Sequence, residues 1–266
     1  MNKTIASKIL AVDIGNTSVL FGYYDRGHLK KTFRLATKRI RSKEIRSLKK
    51  RFPIHELEAA IIASVVPPLG KQLRKKLRKD LGISSYLIGK DIPIPIVNRT
   101  RSPRQVGIDR LMNAIAAFDR YRRPAIIVDF GTAITFDVVS NKGEYLGGVI
   151  APGIEISLEA LFQQTALLPK IRLAHPAHFI GRDTVESIRI GCSVGIGGLC
   201  DRIIERIKKR YRLRPVIIAT GGYAAFMARY CSARGRIDPW LTLKGILLTY
   251  QHHLKKRLTK SQPSLK

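Results

Sequence analysis

The chain has 266 residues, 45% of them hydrophobic, which is enough for two modest domains or one large one with buried cores. No stretch approaches the roughly 18 apolar residues that a membrane span needs. Met1–Ser7 leads into the first strand without the apolar core of a signal peptide, so a cytoplasmic protein with no membrane partner is expected. Lys and Arg number 49 against 19 Asp and Glu, a net charge of +30, which favours anionic ligands and allows nonspecific contact with nucleic acid.

Lys8–Ile14, Val19–Tyr24 and His28–Leu35 read as three strands, with Asp25-Arg26-Gly27 as the second turn. A basic helix is expected near Ser42–Arg51, then a buried strand at Ala59–Val66 closed by Pro67-Pro68. Helix 69–81 and a short strand near Tyr86–Ile88 follow. A Pro-containing loop over 91–103 leads to a helix at 103–121, whose Leu111, Ala114, Ile115 and Phe118 recur on one face. Then the opening pattern restarts, with strands 125–130, 133–139 and 145–150 and a turn at Asn141-Lys142-Gly143. Helices near 154–165 and 182–211, a buried strand at Pro215–Ala219 and a last helix near Leu243–Lys256 with a frayed tail complete the chain.

An antiparallel meander followed by a crossover is the order of ribonuclease-H-like domains. Because the second half restates the first, the predicted fold class is α/β with two duplicated ribonuclease-H-like domains, 1–120 and 121–266, and a cleft between them.

Each half opens with the same device. "LAVDIGNTSVLFG" ends its strand in Asp13, Gly15, Asn16 and Thr17, and "AIIVDFGTAITFDVV" places Asp129, Gly131, Thr132 and Ala133 in the corresponding positions. An aspartate at a strand end projects outward, and glycine lets the backbone turn tightly so that a phosphate can approach amide N–H groups. Aspartate alone would repel phosphate, so a cation must stand between them. Two such hairpins suit a polyphosphate. "VGIDRLMNA" puts Asp109 and Arg110 at the start of the connecting helix, where an acid also suits the helix dipole. "GEYLGGVIAPGI" and "ATGGY" supply glycines at strand ends. "GCSVGIGGLCDR" imitates a dinucleotide fingerprint but follows a helical pattern, so its small residues are read as helix packing.

The basic runs 38–51, 71–79, 206–214 and 255–260 interleave with Leu and Ile at helical spacing and lack aromatics, so they read as solvated helix faces. Cys192, Cys200 and Cys231 have no metal-site spacing and are expected to be structural thiols. His175-x-x-His178 has no acidic or thiol ligand close by and reads as two loop histidines.

The stretches "DIGNT", "ASVVPP", "VGIDR", "VDFGTAITFD", "LGGVIAPG", "DTVESI", "ATGG" and "LTLKGI", in that order, resemble the type III pantothenate kinases. These are members of the acetate and sugar kinase/Hsp70/actin superfamily, with an actin-like ATPase fold. The resemblance implies transfer of the ATP γ-phosphoryl group to pantothenate, giving 4'-phosphopantothenate at the first step of coenzyme A biosynthesis. It implies that Asp13 holds Mg²⁺, or another divalent cation, at the phosphates, with Gly15, Asn16, Thr17, Gly131 and Thr132 around ATP. Asp109 would be the catalytic base, and Asp129 would ligate a monovalent cation, K⁺ or NH₄⁺. Thr100, Gly107, Ile108, Asp109, Arg110 and Thr184 would line pantothenate, Thr184 across a homodimer interface. Thr100 stands where the family often has an aromatic residue, and Ile108 where a smaller one is usual. A catalytically silent relative of the Bvg accessory factor, acting as a regulator, is the alternative in the same family.

Overall fold

The computed structural model describes residues 8–212, 214–233 and 235–261. The expectations for Met1–Ser7 and for the tail past residue 261 lie outside the described residues. Two five-stranded sheets share one strand order. The first holds β1 (Lys8–Ile14), β2 (Ser18–Asp25), β3 (His28–Ala36), β4 (Ala59–Ser64) and β5 (Ser85–Leu87) in the order β3-β2-β1-β4-β5. The second holds β6 (Ala125–Phe130), β7 (Ala133–Val139), β8 (Tyr145–Pro152), β9 (Val216–Thr220) and β10 (Arg236–Ile237) in the order β10-β9-β6-β7-β8. β1 pairs antiparallel with β2 and parallel with β4, and β6 does the same with β7 and β9. The chain is therefore α/β with two mixed sheets of one topology, as the repeated meander predicts.

The central strands are apolar runs because both faces of each sheet are covered. Leu10, Val12, Ile14, Phe21 and Ile62 pack with Leu73 and Leu77 from helix α2 (Pro67–Leu81) in one core. In the other, Ile126, Val128 and Phe136 pack with Cys200, Ile204 and Ile207 from helix α6 (Ile196–Tyr211). The remaining helices are α1 (Ser42–Ser47), α3 (Ile108–Tyr121), α4 (Ile154–Gln163), α5 (Thr184–Ile190), α7 (Ala224–Met227) and α8 (Leu241–Ser261).

Several element boundaries differ from the sequence reading. The helix expected from residue 103 begins at Ile108. Pro103–Gln105 form a separate 3₁₀ turn, and Val106 is extended, which ends that turn before Gly107. The helix expected over 42–51 tightens to 3₁₀ at Leu48–Lys50. The single helix expected over 182–211 is α5, one π turn at Gly191–Gly195 and α6. α8 runs past residue 256 to Ser261.

The described parts of 1–97, 101–116 and 241–266 form one unit, and those of 98–100 and 117–240 the other. The sequence reading places all of 121–266 together, whereas α8 packs on β1 and β4 of the first unit. Leu243 fills the space left by the missing side chain of Gly22, and Gly245 lies against the backbone of Met112.

Candidate active site

The first hairpin is closed by Gly15 N–H donating to Ser18 O at 3.0 Å. Thr37 braces it from β3's end: its N–H donates to Thr17 O at 2.9 Å and its hydroxyl to Gly15 O at 3.0 Å. With the backbone so fixed, the side chains of Asn16 and Thr17 are exposed and Asp13 is half-buried. Asp13 sits in register with Leu20 on one side and Ala63 on the other. The "ASVVPP" stretch continues from β4 beside it, where Val65 N–H donates to Ile14 O at 3.0 Å before α2 starts at Pro67.

The second hairpin repeats this. Gly131 N–H donates to Ala133 O at 3.2 Å, and Asp129, half-buried, lies in register with Thr135 and Thr220. Here glycines wall the loop. Gly221 adopts φ +90°, and a Cβ on it would strike the Asp129 carboxylate and the backbone of Phe130. A Cβ on Gly153 would strike the backbone carbonyls of Gly131 and Thr132. The "ATGG" and "IAPG" stretches thus meet "DFGT" backbone to backbone, a close approach that any side chain would block.

Asp109 is the second residue of α3. Its Oδ1 accepts the backbone N–H of Arg110 at 2.8 Å. A Cβ on Gly107 would strike that same Oδ1, so glycine at 107 is what lets the carboxylate fold back over the helix start. Burial pushes the Asp109 carboxyl above its ordinary value, outweighing the Arg110 amide and the Arg110 guanidinium, which both pull it down. A carboxylate raised in this way is a better proton acceptor than an exposed one. Ile108 reaches toward Gly89, another left-handed glycine, where its Cδ1 would lie 3.5 Å from a Cβ.

Thr100 is held by Asn98, whose Oδ1 accepts both its N–H at 3.0 Å and its hydroxyl at 2.8 Å. It borders Gly147 of β8. Thr184 is exposed at the first turn of α5. That turn is built by Asp183, whose Oδ1 accepts Glu186 N–H at 2.8 Å, and by Glu186, which accepts the N–H of Arg182 at 3.1 Å. The "DTVESI" stretch is therefore a helix cap that presents a threonine. Asp13, Gly15, Asn16, Thr17, Gly107, Ile108, Asp109 and Arg110 belong to the first unit, and Thr100, Asp129, Gly131, Thr132 and Thr184 to the second.

A family model described as type III pantothenate kinase matches residues 9–206. The chain belongs to the type III pantothenate kinase family. The type III pantothenate kinase of Citrifermentans bemidjiense is 40% identical over 256 residues, covering 92% of this chain and 99% of the relative. That of Moorella thermoacetica is 38% identical over 252 residues, with the same coverage of both. Among solved structures, a Campylobacter jejuni protein assigned to the Baf family of transcriptional activators aligns with TM-score 0.59 at 22% identity, over 94% of this chain and 99% of that one. The activator of 2-hydroxyisocaproyl-CoA dehydratase from Clostridium difficile, bound to ADPNP, aligns with TM-score 0.53 at 13% identity, over 97% and 99%. At those identities the two structures show the actin-like fold alone.

Within this pantothenate kinase fold, several polar contacts escape a reading of the sequence. Asp137 is fully buried on β7, accepting the Tyr145 hydroxyl at 2.7 Å and the Thr135 hydroxyl at 3.2 Å. Thr135 and Asp137 share a strand face at i, i+2, the one signal that could have paired them. The "LTLKGI" stretch proves to be packing: Thr242 donates to the buried Asn113 at 2.9 Å, and Gly245 admits Met112. Tyr223, just past the glycine pair, donates to Glu155 at 2.7 Å; burial and that bond push its phenol up to about 12. His175 stacks on Phe226 with ring centroids 4.3 Å apart, and His178 pairs with Glu186 at 2.9 Å, so the two histidines serve different partners. Among the described residues no group of three His, Cys, Asp or Glu side chains could hold a metal. No helix there is long and apolar enough to cross a membrane.

Proposed function

We propose that this chain phosphorylates pantothenate with Asp109 as the base and Arg110 as the carboxylate-binding residue. Family membership makes the reaction ATP-dependent pantothenate phosphorylation, in coenzyme A biosynthesis. The observation that carries the residue assignment is the raised, half-buried carboxyl of Asp109 folded over Gly107 at a helix start. Asp109 takes the proton of the pantothenate primary hydroxyl as that oxygen bonds to the γ-phosphorus and the bond from that phosphorus to the β–γ bridging oxygen breaks, releasing ADP. Arg110, the next residue, supplies a fixed positive charge to the pantothenate carboxylate. Gly107, Ile108 and Thr100 shape the substrate's surroundings.

Asp13 with Gly15, Asn16 and Thr17, and Asp129 with Gly131 and Thr132, attend the phosphates of ATP. Each hairpin offers one carboxylate, and no protein-only cage exists among the described residues, so a cation here must share its shell with phosphate oxygens. That fits Mg²⁺ at Asp13, because Mg²⁺ is commonly held by one or two carboxylates plus phosphate. Asp129, in the loop whose Gly131 and Thr132 carbonyls pack on Gly153, takes the monovalent cation, K⁺ or NH₄⁺. Bound cations neutralise phosphate charge as it shifts from one oxygen to the other.

The chain also acts as a homodimer in this reading, with Thr184 reaching the partner's substrate. Support comes from the second unit's exposed apolar surface. Ile150 on β8 is 64% exposed and Leu167 is 91% exposed. α4 and α6 flank an open apolar groove of about 530 Å³ lined by Leu161, Ile196 and Leu199.

The deciding experiment is Asp109→Asn, assayed with ATP, Mg²⁺, K⁺ and pantothenate. Asn also accepts the Arg110 amide and suits a helix start, so the fold persists while kcat falls by about 10²–10⁴-fold. The acid limb of the wild-type kcat profile lies above the ordinary Asp range and is lost in the variant. Stability has the opposite sign: a carboxyl raised on folding costs stability as pH rises from its unfolded to its folded value. Asp109→Asn therefore matches or exceeds the wild-type melting temperature at neutral pH. Wild-type turnover in the variant would remove Asp109 from the mechanism.

A further inference from the structure

Cys200 is fully buried on α6, and Cys231 is half-buried in the turn after α7. Asp201, next to Cys200, fastens that turn to the helix: its carboxylate accepts the N–H of Ser232 at 2.7 Å and of Ala233 at 2.9 Å. The clamp lies one residue beyond each thiol, and it holds the turn so that the two thiols share a hydrogen bond. Both line one cavity of about 260 Å³ whose other walls include Val128, Ile204, Ile217 and Ala224. All three cysteines of the chain are free thiols.

The pair is chemically unequal. The hydrogen bond from Cys200 pulls the Cys231 thiol below its ordinary value in spite of burial and the Asp201 charge, and it holds Cys200 far above. A partly exposed thiol beside a fully buried one is the arrangement of an attacking and a resolving cysteine. Cys192 offers an internal contrast. It is buried in the π turn, and burial alone pushes its thiol up.

We infer that Cys231 and Cys200 form a hydroperoxide-reactive dithiol site that closes reversibly into an intrachain disulfide. The Cys231 thiolate attacks the outer oxygen of a hydroperoxide. The O–O bond breaks, and the leaving alkoxide or hydroxide takes a proton. Cys231 sulfur is thereby oxidised by two electrons to the sulfenic acid, and the peroxide is reduced. Cys200 then attacks the sulfenic sulfur; the S–S bond forms, the S–O bond breaks, and hydroxide leaves with the Cys200 proton as water. Two thiols and one hydroperoxide give one disulfide, one alcohol or water, and one water. The apolar cavity suits a small neutral peroxide. A dithiol reductant restores both thiols. None of this rests on which substrate the chain phosphorylates.

The test exposes the full chain to equimolar hydrogen peroxide, blocks remaining thiols with iodoacetamide in denaturant, and maps the peptides by mass spectrometry. The expected result is a chain lighter by two hydrogens, a Cys200–Cys231 cross-linked peptide, alkylated Cys192, and full reversal by dithiothreitol. In Cys231→Ser, Cys200 and Cys192 both stay reduced at the same dose. In Cys200→Ala, dimedone traps sulfenic acid at Cys231; if that core variant fails to fold, Cys231→Ser at the half-buried position still decides. The inference is overturned if Cys192 oxidises as fast as Cys231, if the disulfide links two chains, or if Cys231 stays alkylatable in excess peroxide.

Discussion

Asp13 and Asp129 hold equivalent places in two sheets of one topology. Each is the last residue but one of a central strand, with an antiparallel neighbour on one side and a parallel neighbour on the other. Their surroundings differ. Around Asp129, Gly221 and Gly153 bring two more backbones against the loop. Around Asp13 the crossing strand runs through Ser64, Val65 and Val66 into α2, and the loop instead exposes Asn16 and Thr17. Each loop exposes a threonine, Thr17 and Thr132; the first adds the exposed Asn16, and the second adds close-packed glycine backbone. The outer strands differ too. β3 carries Lys30, Lys31 and Arg34, whereas β8 exposes Val149 and Ile150. Charge blunts an edge strand, while an apolar edge calls for a cover.

The largest expected effect separates the two aspartates. Asp13→Ala should lower kcat/KM for ATP by at least about 10²-fold, because a divalent cation on phosphate supplies several kcal/mol of charge stabilisation. Asp129→Ala should cost less and should abolish the response to K⁺ titrated into a Na⁺-buffered reaction. Equal losses, with K⁺ dependence kept in Asp129→Ala, would make the two hairpins interchangeable and erase the division.

Glycine substitutions come next. Gly221→Ala places a side chain at φ +90° and against the Phe130 backbone. Left-handed strain and overpacking together cost roughly 2–4 kcal/mol, a drop of several degrees in melting temperature. Gly15→Ala meets only Ser18 O at 3.2 Å and should cost under about 1 kcal/mol. Thermal melts of the two variants side by side give the contrast directly.

Much of this contrast is legible in the sequence. The apolar runs leading into Asp13 and Asp129 mark two strand ends, and the Thr220-Gly221-Gly222 run marks a close backbone approach by its residue types alone. Other features need the third dimension. α8 follows the second half in sequence, yet its partners Gly22 and Met112 lie in the first, and no local pattern announces them. Helical periodicity continues through Gly191–Gly195, so the π turn leaves no trace in the spacing. The helix start at Ile108 is hidden because Pro103 offers an equally good first-turn residue five positions earlier. Asp137 reads as an ordinary outward strand position; only the register of β7 with β8 brings the Tyr145 hydroxyl onto it.

The edge strands give a smaller, assembly-level test. Ile150→Lys should give β8 the charge that β3 already has and shift the protein toward monomer in sedimentation velocity. Lys31→Ile makes the reciprocal change on β3 and should leave the proposed dimer in place while lowering solubility. A monomeric wild type would leave the apolar edge without its proposed cover.

The smallest expected effect concerns the charge that both units share. Lys71 and Lys75 on α2 and Lys208 and Lys209 on α6 are exposed, on helix faces turned from the buried leucines and isoleucines of the same helices. The hairpins at Asp13 and Asp129, by contrast, are strand ends. A distant lysine acts on ATP or pantothenate only through a field screened over about 8–10 Å at physiological salt. It speeds capture more than it stabilises the transition state. Replacing all four with Gln should leave kcat nearly unchanged. Any rise in KM should fade as ionic strength increases, since salt already screens what the substitutions remove. Lys208 and Lys209 also lie in the last turn of α6, where a cation favours the helix dipole. A loss of about 0.3–1 kcal/mol of stability per lysine is therefore expected there, and none at Lys71. Residual binding to duplex DNA should fall steeply with salt and ignore sequence. A fall in kcat that persists at high salt would place one of these lysines against the reacting groups, and the division between strand-end chemistry and helix-face charge would fail for that unit.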